Sequence, residues 1–366
     1  MCGTHNNSFF FLNLEKKHYL CRQIKKTMDK YTIIKAECKG SFSERLMQLY
    51  MKVGEYLDSE KLEGRKIQFS KVFLSDAQNQ YQQLIDSDLY QEQLSKAATT
   101  VVEQPPVDGC KIALLLKTSD QQPDFLFHSI RLTNDETNGM NSYTQTIMLF
   151  EKYLRLIKEQ GLSLAEHCVR TWLYVADIDN NYQGVVKARN QIFATQGLTI
   201  DTHFIASTGI GGNTHSRSAC VAMDFLTYPN ISEADKTYLK ALDYLNPTHE
   251  YGVAFERGTR LTTSNKQQYF ISGTASIDKH GNVVYVGDVT RQAGRLLENI
   301  GALLKDGDAT MNDVKYFIVY LRDISDYATI ENFMQQAFPD KPHIIVQAKV
   351  CRPEWLVEME CMAVKE

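Results

Sequence analysis

Residues Gln292–Asp323 read QAGRLLENIGALLKDGDATMNDVKYFIVYLRD, and their periodicity decides the fold. Ala293, Leu296, Leu297, Ile300, Leu303 and Leu304 recur at three- and four-residue intervals, the stripe of an amphipathic helix. Gly307 is the expected C-cap. Sixteen residues further on, Asp323 closes the apolar run Val314–Leu321, which reads as a strand. Tyr327 opens a second short helix that ends near Phe338-Pro339, and two strands follow, Ile344–Val350 and Leu356–Ala363. The order is helix, strand, helix, strand, strand.

That order recurs upstream, as an internal repeat should. In the middle of the chain a helix runs from Gln145 to Gly161, and Asp177 again follows sixteen residues later, after the strand Val169–Val175. Tyr182, Phe193 and the strand Ala219–Leu226 complete the copy. A fainter first copy has a helix Arg45–Leu57, a strand Ile67–Leu74 ending at Asp76, Tyr81 and a last strand Lys111–Lys117. A hairpin is expected ahead of each helix. It is clearest in the third copy, where Gln268–Ala275 and Val283–Val286 flank the turn Asp278-Lys279-His280-Gly281, and in the middle copy Asp124–Leu132 supplies part of it. The division is therefore an appended segment 1–27, a degenerate unit 28–120, a second unit 121–245 and a C-terminal unit 246–366.

At 366 residues, 43% hydrophobic and 23% charged, the chain has the composition of a globular protein with several units. A net charge of −4 provides no field for a polyanion, so nucleic acid is not an expected partner. The eight cysteines, Cys2, Cys21, Cys38, Cys110, Cys168, Cys220, Cys351 and Cys361, are scattered without a CxxC pair and read as reduced cytoplasmic thiols. Phe9–Leu14 lacks the basic flank of a secretory signal, and no run is long enough to span a membrane. Met28 is a natural alternative start.

Gly273 after an apolar strand, Gly287-Asp288 before Gln292, Asn299-Ile300, Asp323 with Tyr327, and the closing Val357-Glu358-Met359-Glu360-Cys361-Met362-Ala363 resemble the Rid/YjgF (endoribonuclease L-PSP-like) pattern. The resemblance implies α+β units, each a mixed sheet packed by two helices, that associate as trimers with ligand clefts between neighbours. Three tandem copies would make an intramolecular pseudo-trimer, monomeric as a chain. The small Rid deaminases hold a substrate carboxylate with an arginine near the start of the penultimate strand, and the matching position here is His343. Cys351-Arg352-Pro353-Glu354-Trp355-Leu356-Val357-Glu358, with Asn246-Pro247, Tyr251-Gly252, Phe255-Glu256-Arg257 and Ser272–Ser276, is similar to a different branch, the chorismatases, which release pyruvate from chorismate. Val169-Arg170-Thr171-Trp172 and Thr208–Gly212 extend that similarity into the middle copy.

Glu358 is the expected catalytic residue. It shares one face of a strand with Glu360, whereas the matching pairs are Ala113 and Leu115 in the first copy and Ala222 and Asp224 in the second. Burial beside a second carboxylate raises a carboxyl pKa and keeps it protonated, the state a general acid needs. Arg257 and Arg352 are the expected anion clamps, since a guanidinium matches a carboxylate's geometry. Cys351 stands where benzoate-forming chorismatases carry a cysteine and is expected to shape the pocket as a thiol; Thr274 and Ala275, beside Gly273, are expected to border the ligand.

Ser207–Gly212 has no GK[ST] ending and is expected to be a tight turn bordering a cleft, with His215 and Arg217 nearby. The histidines show no metal-ligand spacing, and neither metal nor cofactor is expected. Trp172 and Trp355 are expected to pack in the core or between copies. Three functions compete: a chorismatase-like enzyme acting on a small anionic metabolite, a Rid-type enamine or imine deaminase, and a metabolite-binding protein that has lost its chemistry.

Overall fold

The computed structural model describes residues 29–263 and 266–365; the expected appended segment, with Cys2, Cys21, Phe9–Leu14 and Met28, lies outside the described residues. Three mixed sheets follow one another along the chain. The first unit comprises β1 (Lys30–Lys35), α1 (Phe42–Leu62), β2 (Lys66–Leu74), α2 (Ala77–Ile85), β3 (Ala98–Glu103) and β4 (Ile112–Ser119), with strand order β1-β4-β2-β3. The second comprises β5 (Leu126–Ile130), α3 (Ser142–Lys158), β6 (Cys168–Val175), α4 (Ile178–Thr195), β7 (Ala206–Gly211) and β8 (Val221–Thr227), ordered β5-β8-β6-β7.

The third comprises β9 (Lys236–Leu239), β10 (Gly258–Thr262), β11 (Gln267–Ala275), α5 (Val289–Asp306), β12 (Val314–Leu321), α6 (Tyr327–Ala337), β13 (His343–Gln347) and β14 (Val357–Lys365). Its order, β13-β12-β14-β11-β10-β9, contains the same four-stranded plan with two strands added at one edge. In each unit the last two strands but one run parallel across a helical crossover, and the other pairings are antiparallel.

Register makes the repeat quantitative. Leu74 faces Ile112, Val175 faces Val221 and Leu321 faces Val357, so Ala113, Ala222 and Glu358 are equivalent, as are Leu115, Asp224 and Glu360. The ladder slips by one residue at the same place in all three, between Ile67 and Phe69, Cys168 and Arg170, and Val314 and Tyr316. Helices cover the outer faces, as where Leu46, Leu49 and Val53 of α1 pack on Val72, Leu74 and Leu114. The inner faces share one core in which Phe73, Tyr174 and Tyr320 meet. Contacts of β3 with β5, β7 with β11 and β12 with β1 close the three units into a ring.

Three local expectations are corrected. The strand partner of β11 on the hairpin side is β10, not Val283–Val286. The turn at Asp278 forms, with the Asp278 carboxylate accepting from the backbone of His280 and Asn282. The ladder stops after the single bridge Ile277–Val283, because Tyr285 takes a left-handed φ of 59° and Val286 is exposed with no face to bury. Among the described residues, one strand, not a hairpin, precedes the helix in the first and second units.

Ser207–Gly212 is not a turn: Ala206–Gly211 is strand β7, parallel to β6. Its side chains offer little β-propensity, but a Cβ at Gly209 would press on the Tyr182 ring and one at Gly211 on the Lys349 backbone. Gly211 N–H donates to Lys349 O at 2.9 Å, so Gly211 lets β7 seat against the third unit, while Gly209 leaves room for the Tyr182 ring of its own unit. Gly307 does cap α5, yet at φ −97°; the left-handed residue is Asp308, and Gly307 is small because Tyr269 and Leu239 crowd it.

Candidate active site

A cleft of about 400 Å³ opens between the second and third units. Strand β14 contributes Glu358, paired in register with Ala275 of β11, so Gly273, Ala275 and Glu358 lie together on the third unit's wall. The loop before β14 contributes Cys351, Arg352 and Trp355, and the segment before β10 contributes Phe255 and Arg257. The opposite wall belongs to the second unit: Tyr182 and Arg189 from α4, Ser207 and Gly209 from β7.

Glu358 is 4% exposed. Burial, then the carboxylate of Glu360, pushes its carboxyl from 4.5 to about 8, against the opposing pull of Arg170 and Arg257. Gly273 is required directly beneath it, since a Cβ there would overlap Glu358 Oε1 and press on Thr208. Glu360, two residues further along the same strand face, lies outside the cleft lining and is fixed from the second unit. It accepts hydrogen bonds from Arg170 Nη2 at 2.9 Å, Trp172 Nε1 at 2.8 Å and Thr208 Oγ1 at 2.5 Å, with Arg170 and Glu360 both buried. Thr208 Oγ1 in turn accepts from Gly273 N–H at 2.9 Å, tying the acid's floor to the clamp.

Arg257 is buried and held by Asn246, donating from Nη2 to its backbone oxygen at 3.1 Å and to Oδ1 at 3.2 Å. Arg352 lies over Trp355, 4.7 Å from the ring centre, and donates to Gly281 O at 3.2 Å. Asn246-Pro247 and the Asp278–Gly281 turn thus serve as arginine holders. Cys351 is half-buried; burial and Glu358 push its thiol up to about 12, which suits a neutral wall rather than a nucleophile.

Of the residues expected at the site, Glu358, Arg257, Arg352, Cys351 and Ala275 line one cleft. Glu360 sits behind it. Thr274 is 1% exposed, points to the other side of β11 and donates to Ser272 O, so it does not line the cleft. His215 stacks on Tyr81 of the first unit, 3.9 Å between centres, and His343 contacts Glu331; neither they nor Arg217 lines the cleft. His343 pairs with Phe317 as Ser207 pairs with Thr171, so in the cleft that holds Glu358 the penultimate-strand position belongs to Ser207.

Sequence reasoning missed Arg189. It is 1% exposed, lines the cleft, and its Nε and Nη2 have no hydrogen-bond partner among the described residues. A buried guanidinium without an acceptor is costly unless a ligand supplies one. Arg189 stands seven residues after the landmark Tyr182, two turns along one helix face, and that spacing was the available signal.

Three units of one α+β plan in a ring, with a buried carboxyl of raised pKa in an inter-unit cleft lined by arginines, define a single-chain protein of Rid-type units. The profile described as Endoribonuclease L-PSP matches residues 256–365. A RutC family protein of Pyrococcus abyssi is 34% identical over 99 residues, covering 26% of this chain and 78% of the relative. The chain belongs to the Rid/YjgF (endoribonuclease L-PSP) family. A chorismatase crystal structure is similar over 92% of this chain and 98% of its own, with a TM-score of 0.66 and 19% identity, which establishes a shared fold across all three units. A putative endoribonuclease L-PSP from Entamoeba histolytica covers 36% of this chain and 99% of its own, with a TM-score of 0.31 and 18% identity.

Proposed function

We propose that the protein is a chorismatase-like enzyme that releases pyruvate from chorismate or a similar enolpyruvyl dicarboxylate, with Glu358 as general acid. The observation that carries this reading is a carboxyl held protonated near neutrality in a cleft with three arginines, Arg189, Arg257 and Arg352. A substrate carboxylate supplies the acceptors that Arg189 Nε and Nη2 lack, and a second carboxylate matches the positive charge of Arg257 and Arg352.

Glu358 delivers its proton to the methylene carbon of the enolpyruvyl ether, and the adjacent carbon becomes an oxocarbenium centre. Water adds there and returns a proton to the Glu358 carboxylate. The resulting hemiketal collapses to pyruvate and the ring alcohol, with no net change in the enzyme. A ring hydroxyl attacking in place of water leads to the other product branch. Arg170, Trp172 and Thr208 act at one remove by holding Glu360 as the charge that keeps Glu358 protonated.

Imine deamination of the Rid type is the weaker reading, because Ser207 occupies the carboxylate-binding arginine's position in this cleft. Incubation with chorismate, following pyruvate by a coupled lactate dehydrogenase assay, tests the proposal. Pyruvate release above buffer is expected; folded protein that releases none, or that instead liberates ammonia from freshly generated 2-aminoacrylate, overturns it.

A further inference from the structure

The ring repeats the cleft's geometry between the third and first units, where Ala113 holds the register position of Glu358. Beside Ala113, at the start of β4, lie two thiols. Cys38 is exposed, Cys110 is buried, and their Sγ atoms are 3.4 Å apart. The β1–β4 ladder pairs Lys35 with Ala113, and Ala36 N–H donates to Ile112 O just beyond it. Beyond that point both segments leave the ladder, and it is the 3.4 Å separation of their Sγ atoms that sets the two side chains against each other.

The two segments are held in place. Arg45 Nη2 donates to Cys38 O at 2.6 Å and Nη1 to Gly109 O at 3.3 Å. Lys35 pairs with Asp108 at 2.7 Å, and Asp108 Oδ1 accepts from Cys110 N–H at 3.2 Å. Neither thiol belongs to the cleft that holds Glu358.

We propose that Cys38 and Cys110 form an oxidative modification site, which hydrogen peroxide converts to an intramolecular disulfide and a thiol reductant restores. The Cys38 thiolate attacks one peroxide oxygen; the O–O bond breaks, and the departing hydroxide takes up a proton as water. Cys110 sulfur then attacks the Cys38 sulfenic sulfur. The S–S bond forms, the S–O bond breaks, and hydroxide leaves with the Cys110 proton as a second water. Two thiols and one peroxide thus give one disulfide and two waters. Cys38 takes the first step because it is the thiol that peroxide reaches, while burial and Cys38 itself push the Cys110 thiol up to about 12. The bond would close a loop spanning most of the first unit and restrict its unfolded chain.

The test is to treat the full chain with hydrogen peroxide, block remaining thiols, digest without reduction and map the peptides by mass spectrometry. One cross-linked peptide joining Cys38 to Cys110, split by dithiothreitol, is expected. The oxidised chain should also melt several degrees above the reduced one, a difference absent from Cys38→Ser. Cys110 recovered as a free, blocked thiol while Cys38 is over-oxidised or paired elsewhere overturns the proposal, and the wild-type map alone decides it.

Discussion

Glu358 keeps its proton because two local facts act in the same direction: its carboxyl is enclosed, and Glu360 shares its strand face. The folded value of about 8 lies above the ordinary 4.5, so between those values the native chain holds a proton that the unfolded chain has lost. Stability from this group is therefore lost as pH rises from about 4.5 to about 8 and is level above. Glu358→Gln, which cannot ionise, is expected to raise the melting temperature relative to wild type more at pH 8 than at pH 5. Activity has the same midpoint: the rate of pyruvate release should fall as pH passes about 8, seen as a descending limb in the pH profile. Gly273→Ala drives a methyl into the Glu358 carboxyl, and a loss of about 1–3 kcal/mol in urea unfolding together with most of the activity is expected. Unchanged stability and turnover would show that the floor has room.

At the scale of elements, the repeat was legible and the cleft only half so. The helix–strand spacing ending at Asp177 and Asp323 located two units, because apolar stripes and runs report burial directly. The face shared by Glu358 and Glu360 was legible for the same reason, since strand side chains alternate. Strand β7 and the β10–β11 pairing were not: β7 is rich in serine, threonine and glycine, and its strand form rests on the parallel ladder with β6, a partner that local composition does not reveal. Arg189 shares that fate, being one basic residue on α4 until the third unit's wall closes over it. Arg189→Ala is expected to raise KM for a dicarboxylate substrate about 10- to 100-fold with a smaller change in kcat, measured by steady-state pyruvate release. Arg170→Ala should be costly in another way, leaving Glu360 buried without its guanidinium partner. A loss of about 3–5 kcal/mol in urea unfolding is expected, whereas a near-neutral change would show that Trp172 and Thr208 suffice.

For the whole molecule, three linked units let the copies diverge while the ring stays closed. The equivalents of Glu360 illustrate this: Leu115 joins the shared core, and Asp224 accepts from Arg131, Thr100 and Tyr174. All three inter-unit contacts are met within one chain, so size-exclusion chromatography with light scattering is expected to give the mass of a single chain. The central claim is that chemistry is confined to the one cleft that kept its acid. It is tested most directly by comparing pyruvate release from chorismate by wild type and by Glu358→Gln at pH 7, both checked for folding by circular dichroism. Wild-type turnover with a loss of about 100-fold or more in the variant is predicted; equal turnover by the two proteins, or none by either, would contradict the account.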